Sequence, residues 1–91
     1  MYFVYLLVTK NKNRTISYVG YTKDINKRLK LHNKSKGAKF TRGRKWKMIY
    51  KLKCKNKSIA LKQEFKLKKN YKLRNQIKNN YLINEISKKR N

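Results

Sequence analysis

At 91 residues the chain has the length of one domain and of one modest core, since a chain this short buries only about 60–65% of its unfolded surface. Its 28 Lys and Arg against three acids give a formal charge of +25, which opposes compaction by self-repulsion and points to a polyanionic partner. An aromatic content of 12% excludes the composition of a disordered tail, and no apolar run reaches the roughly 20 residues of a membrane-spanning helix.

Tyr2-Phe3-Val4-Tyr5-Leu6-Leu7-Val8 is aromatic and β-branched without polar alternation, the pattern of a strand covered on both faces. It lacks a charged leader and a small-residue cleavage site, so it does not read as a signal peptide. Cys54 stands alone, which excludes an internal disulfide and agrees with a reducing compartment. The expected location is the cytoplasm, on the nucleoid if the source is bacterial, or the nucleus if it is eukaryotic. Lys10-Asn11-Lys12-Asn13-Arg14 predicts a polar turn, and Ile16-Ser17-Tyr18-Val19-Gly20-Tyr21 a second strand that closes an antiparallel hairpin. Ile16, Tyr18 and Gly20 share one face of it by the period of two.

Thr22 or Asp24 is placed to cap a first helix. Its stripe of Ile25, Leu29 and His32 runs to an end near Asn33 to Lys36, with Gly37 as the terminating residue. Gly20 is expected to serve as the structural turn between strand and helix. Arg28 and His32, four residues apart, project the same way, close to the strand end that bears Tyr18.

Gly37 to Lys45 reads as a flexible, strongly cationic loop whose glycines let the backbone approach a ligand. Trp46 to Cys54 alternates apolar and basic residues and predicts a third strand, with Trp46, Met48, Tyr50, Leu52 and Cys54 on one face and Ile49 apart. Asn56 or Ser58 caps a second helix from Ile59 to about Lys69, its inner side marked by Ala60, Leu61, Phe65 and Leu67 or Lys68. Tyr71 to Ile86 suggests one or two further helices, and Ser87 to Asn91 is expected to fray. The expected fold class is α+β: a small three-stranded antiparallel sheet flanked by helices, in the order β-β-α-β-α with one or two C-terminal helices. All of residues 1–91 form one domain, with a core over about 2–70 and a helical extension over 71–91.

Three acids leave little room for carboxylate chemistry. Asp24 is explained as a helix cap and Glu85 sits among lysines, so Glu64, at the edge of an apolar stripe, is the acid without an assigned purpose.

The succession of Tyr5 in one strand, Tyr18-Val19-Gly20 in the next, Arg28 and His32 on a helix, then a strand and Glu64 on a helix, resembles the GIY-YIG nuclease family. The first signature stands here as Val4-Tyr5-Leu6, keeping the tyrosine alone. The second is followed by Tyr21 where some members have a lysine. Gly37-Ala38-Lys39-Phe40-Thr41-Arg42-Gly43-Arg44 and Ala60-Leu61-Lys62-Gln63-Glu64 look like the small stand-alone members and the catalytic domain of structure-specific branch-cutting endonucleases.

The resemblance covers about residues 2–70. It implies hydrolysis of DNA phosphodiesters with Mg²⁺ or Mn²⁺, on single-stranded, flap or branched substrates of repair and recombination. It makes Glu64 the metal ligand, Arg28 the clamp on the scissile phosphate and Tyr5 the general base. Tyr18 would order the nucleophilic water or a phosphate oxygen, and His32 would bind phosphate or shuttle a proton. One protein carboxylate suffices for Mg²⁺, which commonly retains waters and takes substrate phosphate oxygens.

Lys27, Lys39, Arg42, Arg44 and Lys45 are expected to hold the DNA backbone without reading sequence. Phe40 and Trp46 are candidate stacking platforms for unpaired bases, with core packing the alternative for Trp46. The competing readings are a non-catalytic, highly basic nucleic-acid-binding module on the same fold and a cationic membrane-surface protein.

Overall fold

The unbroken apolar run near the N-terminus becomes the middle strand of the sheet. In the computed structural model, which describes residues 1–12 and 14–90, β1 (Tyr2–Asn11) lies between β2 (Arg14–Thr22) and β3 (Lys47–Cys54), antiparallel to both. A central strand covered on both faces has no wet side, and Val4 to Val8 are all buried. The hairpin strands extend as far as the Asn11–Arg14 pair. Lys12 takes a left-handed φ of 60° in the turn, and Asn13 lies outside the described residues.

Side-chain caps set the helix boundaries. Asp24, not Thr22, caps α1 (Ile25–Asn33), its Oδ1 accepting from Lys27 N at 3.1 Å. Asn56, not Ser58, caps α2 (Lys57–Lys69), which therefore starts two residues before Ile59. Asn70 ends α2 and caps α3 (Tyr71–Arg90), its Oδ1 accepting from Leu73 N at 3.0 Å. The C-terminal extension is thus one helix. It continues through Arg90 rather than fraying from Ser87, while Asn91 lies outside the described residues.

The end of α1 departs from expectation. Ser35, at φ 62°, takes the left-handed position, with Ser35 N donating to His32 O at 3.1 Å and Lys36 N to Leu31 O at 2.8 Å. This double closure ends the helix at Asn33, four residues before Gly37, which is left free for another role.

The sheet separates two apolar clusters. On one face Val4, Leu6 and Val19 pack with Cys54 and with Ala60 and Leu67 of α2. On the other, Tyr5, Leu7 and Trp46 pack with Tyr18, Leu29 and Met48. The expectation that Trp46 to Cys54 shows one face to the core is corrected here. The β1–β3 register jumps from Leu6–Tyr50 to Leu7–Met48, leaving Ile49 as an unpaired bulge residue. The extra residue reverses the alternation, so Trp46 and Met48 serve one cluster and Tyr50, Leu52 and Cys54 the other. Trp46 is 3% exposed and is a core residue, not a stacking platform.

The inner side of α2 is also corrected. Ala60 and Leu67 are buried, whereas Leu61 and Phe65 are largely exposed. Glu64 lies four residues after Ala60 and three before Leu67, on the inner stripe itself. Truncating Leu67 to Ala is expected to cost about 2–5 kcal/mol, and Phe65→Ala no more than about 0.5 kcal/mol. Urea denaturation of the two variants measures both; equal losses would contradict the packing of α2.

Candidate active site

Cross-strand pairing sets Tyr18 opposite Leu7 and Gly20 opposite Tyr5, so Tyr5, Tyr18 and Gly20 share the sheet face turned to α1. Gly20 lies inside β2 and is not a turn. Its role is spatial: a Cβ there would overlap the Tyr5 hydroxyl oxygen and lie 2.6 Å from Tyr5 Cζ. The missing side chain lets the Tyr5 ring lie across β2 toward the helix.

His32 meets it there. The imidazole is fully buried, and its Nε2 is 2.8 Å from Tyr5 Oη. Its Nδ1 is 2.8 Å from Thr41 Oγ1, on a 3-10 turn at Lys39–Thr41. Gly37 abuts the same ring, where a Cβ would overlap Nδ1 and approach Cε1 and Cγ to 2.9 Å. Burial, and then the nearby Arg28 charge, lower the His32 pKa from 6.5 to about 4. The ring is therefore neutral at pH 7.

The loop from Gly37 to Lys45 is anchored, not flexible. Trp46 Nε1 donates to Thr41 O at 2.9 Å, Trp46 N to Asn33 Oδ1 at 2.6 Å, and Gly43 N to Ser35 Oγ at 2.8 Å. Thr9 Oγ1 donates to Lys45 O at 2.6 Å. Gly37 faces the histidine and not a ligand, while Gly43 supplies a left-handed turn at φ 74° in open space.

Tyr18 is half-buried, with its ring centroid 5.3 Å from that of His32 and 6.5 Å from that of Tyr5. Phe40 stacks on it at 6.2 Å and 19°, and remains 52% exposed. The Arg44 guanidinium lies 5.3 Å from the Phe40 centroid. Tyr18 therefore fronts the open side of the site, with Tyr5 behind it at 1% exposure.

Burial raises the Tyr5 pKa above 10.0; a hydrogen bond from Arg28 and its positive charge oppose the rise, and Tyr18 and Glu64 add to it. The net direction is opposite to what a general base needs, so Tyr5 is a neutral phenol in this site. Those same influences put Arg28, Tyr18 and Glu64 within electrostatic reach of its hydroxyl.

Glu64 arrives from the layer on the far side of the sheet. Its side chain is 16% exposed and its Oε1 is 3.5 Å from the exposed Lys68 Nζ, a loose i,i+4 pair that leaves most of its coordinating capacity free. No three His, Cys, Asp or Glu side chains converge among the described residues. A lone carboxylate beside an open cationic face fits a hard divalent ion that keeps its waters and takes substrate phosphate oxygens.

The structure thus gathers Tyr5, Tyr18, Arg28 and His32, and brings the charge of Glu64 within reach of them. Lys27, Lys39, Arg42 and Lys45 are exposed, and Arg44 is half-buried beside Phe40. Three participants were missed in the sequence: Thr41, Gly37 and Lys51. Lys51 pairs with Tyr5 across β1 and β3, so it stands on the site face, exposed. Only its alternation with Tyr50 and Leu52 signalled this. Tyr21, next to Gly20, takes the opposite face and packs against the α2-side core.

The sequence model of the GIY-YIG catalytic domain matches residues 1–79. The chain belongs to the GIY-YIG family. It is 38% identical to a UPF0213 protein of Oceanobacillus iheyensis over 68 residues, which cover 74% of this chain and 76% of the relative. A UPF0213 protein of Staphylococcus saprophyticus is 40% identical over 65 residues, 70% of this chain and 78% of that one. One from Staphylococcus aureus is 37% identical over 68 residues, covering 74% and 79%. No solved structure gives a significant match. Membership in the GIY-YIG family implies an endonuclease domain with DNA as its substrate. In this GIY-YIG domain the tyrosine of the first signature is the buried one, and that of the second faces the open site. No helix among the described residues is long and apolar enough to cross a membrane.

The depressed His32 pKa links the site to stability. Protonation favours the unfolded chain, where the ring titrates near 6.5. Stability is therefore complete above that pH and falls as pH drops toward about 4, by roughly 3 kcal/mol for a shift of this size. NMR titration of the single imidazole and urea denaturation across this range measure it. A midpoint near 6.5 would contradict the buried neutral ring.

Proposed function

We propose that the chain is a divalent-metal-dependent DNA endonuclease that selects substrates by structure, cutting single-stranded, flap or branched DNA such as arises in repair and recombination. The observation that carries this reading is the convergence of Tyr5, Tyr18, Arg28 and His32 at one sheet face, with the Glu64 carboxylate in electrostatic reach of the Tyr5 hydroxyl.

Arg28 is the clamp on the scissile phosphate, since a planar guanidinium matches two phosphate oxygens and cannot lose its charge. Tyr18, at the open front, orders the attacking water or a phosphate oxygen. Tyr5 stands behind Tyr18, its hydroxyl held by His32 and within reach of the Arg28 charge. Glu64 is the residue that would hold Mg²⁺ or Mn²⁺. Such an ion supplies positive charge that lowers the pKa of nearby water and phenols and stabilises the leaving oxygen. The general-base role of Tyr5 depends on that added charge, because burial alone holds its proton.

Preference for unpaired DNA is supported by Phe40. It lies directly on Tyr18 and half its surface is open, next to Arg44, so an unstacked base has an aromatic partner at the edge of the site. The exposed Lys27, Lys39, Arg42 and Lys45 hold the backbone.

A nicking assay on single-stranded, flap, three-way and four-way substrates in Mg²⁺ or Mn²⁺ tests the reading. Arg28→Ala is expected to lower cleavage about 10²–10³-fold. Its DNA binding should barely change, because only one cation of 28 is removed. Glu64→Ala should abolish metal-dependent cleavage. If wild type and Glu64→Ala leave every substrate equally intact, the domain is a binding module and not an enzyme.

Phe40→Ala should weaken the handling of unpaired substrates by about 1–3 kcal/mol per stacked base while changing duplex nicking little. Equal loss on both substrate types would remove Phe40 from base stacking.

A further inference from the structure

The hydrogen bonds around His32 form a chain whose direction follows from donor and acceptor counting. Thr41 Oγ1 is 2.8 Å from the Ala38 carbonyl oxygen, which can only accept, so the hydroxyl proton is committed there. The same Oγ1 is 2.8 Å from His32 Nδ1 and must therefore act as the acceptor. Nδ1 then carries the ring proton. A neutral imidazole has one N–H, so Nε2 is the lone-pair nitrogen and accepts from Tyr5 Oη at 2.8 Å.

We propose that Thr41 is a positioning residue that locks His32 in the Nδ1–H tautomer and so fixes the direction of the Tyr5 hydroxyl in the site. The chain runs from Tyr5 O–H to His32 Nε2, from His32 Nδ1–H to Thr41 Oγ1, and from Thr41 O–H to the Ala38 carbonyl. Gly37 is the seat that makes it feasible, since any side chain there would drive the loop from the ring. The anchored loop is thereby a support for the Tyr5 hydroxyl and not only a cationic surface. Thr41 is fully buried and touches no substrate, so its effect passes through His32 and Tyr5.

The tautomer claim stands on geometry alone; its consequence for cleavage rests on the nuclease reading above. The chain has one histidine, so ¹⁵N NMR of histidine-labelled protein reports its two ring nitrogens without assignment ambiguity. Wild type is expected to show a protonated Nδ1 and an unprotonated Nε2 near pH 7. Thr41→Val, which keeps the shape and removes the hydroxyl, should move proton density to Nε2. Thr41→Ser should restore the wild-type pattern.

In the nicking assay Thr41→Val should lower kcat about 10–100-fold, the scale seen when a partner orienting a metal-binding histidine is lost, with KM within about twofold. Thr41→Ser should recover most of it. A wild-type proton on Nε2, or a Thr41→Val spectrum still showing Nδ1–H, overturns the proposal. So does a Thr41→Ser variant that behaves as Thr41→Val. The wild-type spectrum decides the tautomer even if Thr41→Val does not fold. A wild type with Nδ1–H and no cleavage would instead overturn the nuclease reading and leave the tautomer assignment standing.

Discussion

A neutral imidazole with no exposed surface is tolerated only if both ring nitrogens are partnered, because an orphaned buried polar atom costs about 1–3 kcal/mol. His32 satisfies this condition with groups from separate parts of the chain, Tyr5 on β1 and Thr41 on the loop after α1. Much of the local architecture serves that arrangement. Gly20 clears the path of the Tyr5 ring, Gly37 lets the loop close on the imidazole, and the closure around Ser35 ends α1 early enough to free Gly37 for that contact. Trp46 then ties the loop down through Thr41 O and Asn33.

The same burial sets the electrostatic character of the site. Desolvation holds Tyr5 protonated and His32 neutral in the resting protein. The lasting charges are Arg28 and Glu64, set against an exceptionally cationic background. A polyanion at the open face would relieve the self-repulsion of 28 basic side chains. Under the proposed function, binding strength would come from the many exposed lysines and selectivity for the reacting phosphate from the geometry of the few buried groups.

A single bulge residue shapes both layers. Because Ile49 is unpaired, β3 sends Trp46 and Met48 to the site-side cluster and Tyr50, Leu52 and Cys54 to the cluster under α2. The two cores are therefore joined through one strand, and α2 seats Ala60 and Leu67 on the sheet with Glu64 between them. An acid on the inner stripe of a helix is disfavoured by burial unless its charge is used. Its loose pairing with an exposed lysine leaves that charge available.

The sequence by itself determined the element order, the burial of β1 on both faces, and the shared facing of Tyr18 with Gly20 and of Arg28 with His32, because hydrophobic runs and fixed helical and strand periods are local properties; Tyr5 joined them only through the family resemblance. It also singled out Glu64, since only three acids were present to be explained. What it left undecided were contacts between segments distant in the chain. No period marks a bulge, so the facing of Trp46 was misassigned; no local pattern distinguishes a glycine that terminates a helix from Gly37, which seats a histidine. Apolar character alone counted Phe65 and Leu61 as inward, whereas the packing of α2 on the sheet buries Ala60 and Leu67. Only the tertiary structure brought Thr41 to His32, because a hydroxyl in a basic loop carries no sign of its partner until the fold supplies one.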